Sequence, residues 1–102
     1  MMSTNPEHGL TAELTIRLRN AASALIARGA SEVYVFGSAI RGPLRPDSDV
    51  DLAVSGLPPA VFYQAASEAM DAIGRPVDLL DLDDQTPIVQ YLKAHGQLVR
   101  VT

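Results

Sequence analysis

The sequence predicts a small α/β (α+β) domain, a mixed sheet of three or four strands flanked by helices. Three observations carry this. Two long stretches repeat apolar residues at helical spacing, and three short runs, EVYVF, DVDLAV and PVDLLDL, are rich in β-formers. The two kinds of segment are interspersed along the chain, which calls for a layered domain rather than a bundle or a sandwich.

Each element has its own local reason. Residues 1–9 read as a loose tail, with Pro6 and Gly9 as breakers. Over 10–28, Leu14, Leu18, Ala21, Ala22, Leu25 and Ile26 recur on one helical face, and Gly29 supplies a left-handed C-terminal cap. Residues 32–36 form a first strand that stops at Gly37-Ser38, followed by a brief helical turn through Ile40 and Arg41. The GPLRPDS stretch is a loop with two prolines. In the next strand, 49–54, Val50, Leu52 and Val54 share one face, and Asp49, Asp51 and Ala53 the other. A second long helix places Phe62, Ala66, Met70 and Ile73 on its apolar stripe, with Ala65 and Ala69 beside them, and ends at Gly74. A third strand covers 76–82. Thr86 caps a last short helix, with Pro87 in its first turn, and Gly96 closes it. The final QLVRVT reads as a strand or an extended tail. We take 10–102 as a single domain.

Composition excludes several function classes. The 102 residues contain no cysteine, which removes disulfide frameworks, thiolate zinc sites and cysteine nucleophiles. Hydrophobic residues make up 47% and charged residues 20%, ordinary for a globular domain that buries one modest core. No apolar run approaches the ~20 residues of a membrane helix, and the start MMSTNPEHGL has no secretory pattern, so a cytoplasmic location is expected. The net charge is −4 and the eight basic residues are scattered, which argues against extended nucleic-acid binding but leaves a single nucleotide open.

The chemistry concentrates in a Gly-Ser at one strand end and an Asp-x-Asp at the next strand start, with ten residues between Ser38 and Asp49. Asp78 lies near the beginning of the third strand. If these groups share one site, the first two strands must run antiparallel and the second and third parallel. Three neighbouring carboxylates repel: like charges ~4 Å apart cost roughly 4 kcal/mol at an effective dielectric of 20. A hard divalent cation relieves that, and an oxygen-only donor set suits magnesium. Two such ions can clamp the attacking and leaving oxygens of a phosphoryl displacement. Asp49, Asp51 and Asp78 are therefore the expected metal and catalytic residues. Gly37 allows close backbone approach to a phosphate, Ser38 adds a donor, and Arg41 lies within reach of a triphosphate.

The stretch FGSAIRGPLRPDSDVDLAV resembles the signature of the DNA polymerase beta-like nucleotidyltransferase superfamily, and with PVDLLDL it is similar to the minimal nucleotidyltransferases in particular. The resemblance covers about 25–82, and the helix ending in His95-Gly96 also fits. It implies the polymerase beta-like fold, with Asp49 and Asp51 binding two magnesium ions and Asp78 completing the centre. It further implies transfer of AMP from ATP onto a tyrosine of a HEPN-domain toxin, the chain acting as antitoxin in a hetero-oligomer. The alternatives are an antitoxin that masks its toxin by binding alone, and transfer onto a small molecule such as an aminoglycoside. No second domain for a small acceptor is evident, which favours an acceptor delivered by a partner protein.

Other residues have plainer readings. Asp81 rivals Asp78 as third carboxylate but shares strand parity with Val77 and Leu79, so it faces away. Asp83 and Asp84 are expected to solvate a loop, and Arg45 to be a surface residue. His8 falls in the tail, His95 favours its helix dipole, and Tyr34, Tyr63 and Tyr91 are expected to pack.

Overall fold

The structure is a computed structural model that describes residues 11–41, 48–96 and 98–101. The expected tail over 1–9 and the loop over 42–47, with Arg45, lie outside the described residues, as do the side chains of Ser38 and Arg41.

The first helix, α1 (Ala12–Ala27), begins two residues later than its periodicity suggests, because the Thr11 hydroxyl caps it by accepting the Leu14 amide at 3.1 Å. It ends in a Schellman arrangement: the Gly29 amide donates to the Ile26 carbonyl, and the Ala30 amide donates to that of Leu25. Strand β1 (Glu32–Phe36) follows, then a single helical turn α2 (Ser38–Arg41), then β2 (Val50–Ser55). A 3-10 turn (Pro59–Val61) leads into α3 (Phe62–Ile73), and the chain finishes with β3 (Val77–Asp81), α4 (Pro87–His95) and β4 (Val99–Arg100). Thr86 caps α4 through the Val89 amide and Pro87 sits in the first turn, as expected. Among the described residues no helix is long and apolar enough to cross a membrane.

The sheet has the order β3-β2-β1-β4. Strand β1 runs antiparallel to β2 and to β4, whereas β2 and β3 are parallel, the directions that a shared Gly-Ser and aspartate site requires. The C-terminal run therefore adds a fourth strand rather than trailing as a tail.

Period-two geometry sorts the side chains to two faces. Val33, Val35, Val50, Leu52 and Val54 point into the main core beneath α1 and α3, where Leu18, Ala21, Leu25, Ala65, Ala69 and Ile73 meet them. Full burial of one such leucine is worth about 1.5–3 kcal/mol. On the opposite face α4 covers a smaller cluster of Ala53, Leu82 and Val89, flanked by Tyr34, Phe36 and Leu80.

Two details differ from the periodicity. Helix α3 buries Ala65 and Ala69 and leaves Met70 40% exposed. Small side chains on α3 and on α1 (Ala21, Ala22) let the two helices approach closely, and the bulkier methionine is turned outward. Ile26, at the end of α1, is likewise outside the core at 42% exposure.

Candidate active site

The site grows from the level at which β1 ends. Phe36 pairs with Asp51 across the antiparallel ladder, and Asp51 pairs with Asp78 across the parallel one. Phe36, Asp51 and Asp78 thus form one row, and Asp51, Ala53, Asp78 and Leu80 share the face away from α1 and α3. Gly37 follows Phe36 with a φ of +75°, a conformation that favours glycine, and turns the chain into α2, where the Ile40 amide donates to the Gly37 carbonyl. A Cβ on Gly37 would run into the Asp51 carboxylate. The sequence brings these two groups together because only a residue without a side chain fits there.

Asp49 lies one residue before β2 instead of within the strand, and its side chain is exposed. The segment carrying it is tied to the start of β3: the Val50 amide donates to the Pro76 carbonyl at 2.9 Å, and Arg75 Nη1 donates to the Ser48 carbonyl at 3.4 Å. Asp78 is exposed and Asp51 half-buried. Asp81 shares parity with Val77 and Leu79, which pack on the main core, so it belongs to the other face. The three candidate aspartates therefore gather at one end of the sheet, and their oxygen donors suit a hard cation in kind. Among the described residues, no three acidic, histidine or cysteine side chains close into a cage.

A cleft of about 330 Å³ opens beside Asp51. Phe36, Gly37, Ile40 and Asp51 line it from the sheet end, and Tyr91, Leu92, His95 and Gly96 line it from α4. Tyr91 and His95 are residues that sequence reasoning assigned to packing and to the helix dipole. Instead Tyr91 is 61% exposed and its ring lies 5.2 Å from that of His95. The available signal was their four-residue spacing, which puts both rings on one helical face. Tyr63 is also exposed, at 86%, in edge contact with Phe62, whereas Tyr34 is half-buried and donates its hydroxyl to Glu32 at 2.9 Å. That bond to Glu32 raises the Tyr34 pKa above its ordinary value.

Asp83 does more than solvate a loop. It accepts the Gly56 amide at 2.7 Å and the Ser55 hydroxyl at 2.8 Å, clasping the end of β2 to the segment after β3. These bonds hold its carboxyl below the usual carboxylate range. Glu68 is lowered in the same way by Arg28, which it binds through both oxygens.

A mixed four-stranded sheet presenting a glycine turn against an Asp-x-Asp strand is the frame of a nucleotidyltransferase. The chain belongs to that family: the family model described as "Polymerase beta, Nucleotidyltransferase" matches residues 27–100. Among solved structures it is similar to a minimal nucleotidyltransferase, with 26% identity, 83% of this chain and 91% of that one covered, and a TM-score of 0.68. It is also similar in fold to a chain of a toxin-antitoxin structure with AMP-PNP, at 24% identity, 82% and 72% coverage and a TM-score of 0.65. A third resemblance is to a chain of the tri-AMPylated Shewanella oneidensis HEPN toxin in complex with MNT antitoxin, at 21% identity, 87% and 71% coverage and a TM-score of 0.63. Comparison with curated protein sequences gave no match.

Proposed function

We propose that this chain is a magnesium-dependent nucleotidyltransferase that moves AMP from ATP onto a hydroxyl, a tyrosine of a HEPN-domain toxin, and thereby acts as its antitoxin. The observation that carries the reading is the row at the sheet end: Asp51 in register with Asp78 and in contact range of Gly37. The partner assignment draws on similarity to antitoxin chains in structures with HEPN toxins, one of them AMPylated. The chain works as one domain over 10–102, in the cytoplasm, in a hetero-oligomer with its toxin.

In this reading Asp49 and Asp51 would hold two magnesium ions, with Asp78 as a further ligand. Magnesium, when bound, offsets the negative charge of carboxylates and triphosphate and acidifies the attacking hydroxyl. The turn at Gly37 and Ser38, with Arg41 one helical turn on, grips the triphosphate. The acceptor oxygen attacks the α-phosphorus, a P–O bond forms, and the bond from that phosphorus to the bridging oxygen of the β-phosphate breaks. Pyrophosphate departs, and the hydroxyl proton passes to Asp78.

The test is incubation with radiolabelled ATP and magnesium, alone and with a HEPN protein encoded beside it. Label is expected on the partner and should vanish when Asp49 and Asp51 are both changed to Asn. Full labelling by that double variant would overturn the mechanism. Absence of label with every nucleoside triphosphate, with tight partner binding retained, would point to an antitoxin that masks by binding.

A further inference from the structure

We propose that Tyr91 and His95 form the wall on which the nucleobase stacks, so that α4 supplies the base-recognition half of the site. The inference rests on the nucleotidyltransferase reading and adds a ligand part and two residues to it.

The cleft combines one carboxylate, Asp51, with apolar Phe36 and Ile40 at the sheet end and two further rings on α4. At the sheet end stand Gly37 and Asp51, where a triphosphate belongs; from α4 come Tyr91 and His95. A nucleotide has the same division, with charge at one end and a flat ring at the other. Neither aromatic is needed by the core, because α4 seats itself on the sheet through Val89 and Leu92. An exposed tyrosine on a helix that is already seated is available for a ligand.

The two rings also cooperate. They lie one turn apart on one face, 5.2 Å between centroids and tilted by 50°, so a flat base that stacks on one ring is met at its edge by the other. Stacking tolerates any base, while the Tyr91 hydroxyl and the imidazole nitrogens offer donors and acceptors to a base edge. The competing occupant is the aromatic ring of an acceptor tyrosine, and binding measurements separate the two.

The experiment titrates the whole 102-residue chain, with magnesium, with AMP-PNP and with inorganic tripolyphosphate, which has no base. The Tyr91→Ala/His95→Ala double variant is expected to bind AMP-PNP roughly 5- to 150-fold more weakly, the range of one lost stacking contact, and tripolyphosphate within about twofold of wild type. Tyr91→Phe keeps the ring and is expected to keep AMP-PNP affinity within about threefold. Circular dichroism checks that the variants fold, which the outward position of both side chains leads us to expect. Unchanged AMP-PNP affinity in the double variant overturns the inference, and a raised KM for the partner protein alongside it would assign the wall to the acceptor. Equal weakening of both ligands also overturns it. Failure of the wild-type chain to bind either ligand would instead remove the nucleotidyltransferase reading on which the inference rests.

Discussion

Gly37 and Asp51 occupy each other's space: a Cβ built on the glycine would stand 3.2 Å from the Asp51 Cγ and nearer still to a carboxylate oxygen. Gly37→Ala therefore forces two changes at once. The residue must hold a φ of +75°, costing about 1–2 kcal/mol, and the Asp51 carboxylate must move. We expect a Tm lower by about 4–8 °C per kcal/mol and transfer activity reduced by roughly tenfold to a hundredfold. Gly74→Ala is the control. Its φ is +81°, but the Cβ would meet the flexible end of Arg17 at the close of α3, away from the cleft. It should lower Tm comparably and leave the activity of the folded protein intact; equal activity in the two variants would count against a catalytic position for Asp51.

Asp78 and Asp81 offer a second separation. Asp78 sits in register with Asp51, whereas Asp81 points to the α1/α3 side and accepts the Asp83 amide at 2.9 Å. Asp78→Asn is expected to cut transfer by about 10²–10⁴, the usual contribution of a proton-accepting group, with little change in stability. Asp81→Asn should leave transfer within about threefold, since it touches neither the row nor the cleft. The reverse pattern in single-turnover assays would reassign the third carboxylate.

Much of this arrangement was legible in the residues. A site shared by Gly37, the Asp-x-Asp opening of β2 and Asp78 required an antiparallel pair and a parallel one; the ladders have those directions. Caps were equally readable, because Thr86 and Pro87 act within one turn of backbone. What escaped depended on tertiary packing. Hydropathy favours Met70 over Ala69, yet the close approach of two alanine-bearing helices buries the small residue and exposes the large one. The wall formed by Tyr91 and His95 depends on which side of α4 lies on the sheet, decided by Ala53 of β2, Val89 of α4 and Leu82 in the turn after β3 meeting in one cluster. The clasp by Asp83 joins segments 27 or 28 positions apart, beyond any local pattern.

Neighbouring residues at the end of α1 test that lesson energetically. Leu25 is fully buried beneath the sheet, and Ile26 is turned outward. Leu25→Ala should cost about 2–5 kcal/mol, through lost transfer energy and the cavity left behind. Ile26→Ala should cost within about 0.5 kcal/mol, the usual range for a surface change. Urea denaturation midpoints measure both. Similar losses in the two would mean that the helix is rotated about its axis from the orientation described.

The Asp83 clasp makes stability depend on acidity in a definable window. The Gly56 amide is the largest influence, followed by the Ser55 hydroxyl; burial opposes them, and the charge of Lys93 adds a smaller lowering. The folded carboxyl therefore titrates below its unfolded value of about 3.9. In the interval between the two values the unfolded chain binds more protons, so stability rises with pH there. The contribution is fully present above about pH 5 and is lost as pH falls through the unfolded value towards the folded one. Asp83→Asn should be less stable than wild type at pH 7, by an amount that is the same at pH 5 and smaller at pH 3. Glu68 titrates in an overlapping range but is common to both proteins, so it cancels in the difference. Urea midpoints at the three pH values provide the measurement. A gap as wide at pH 3 as at pH 7 would show that the charge of Asp83 contributes nothing and that the clasp works through shape alone.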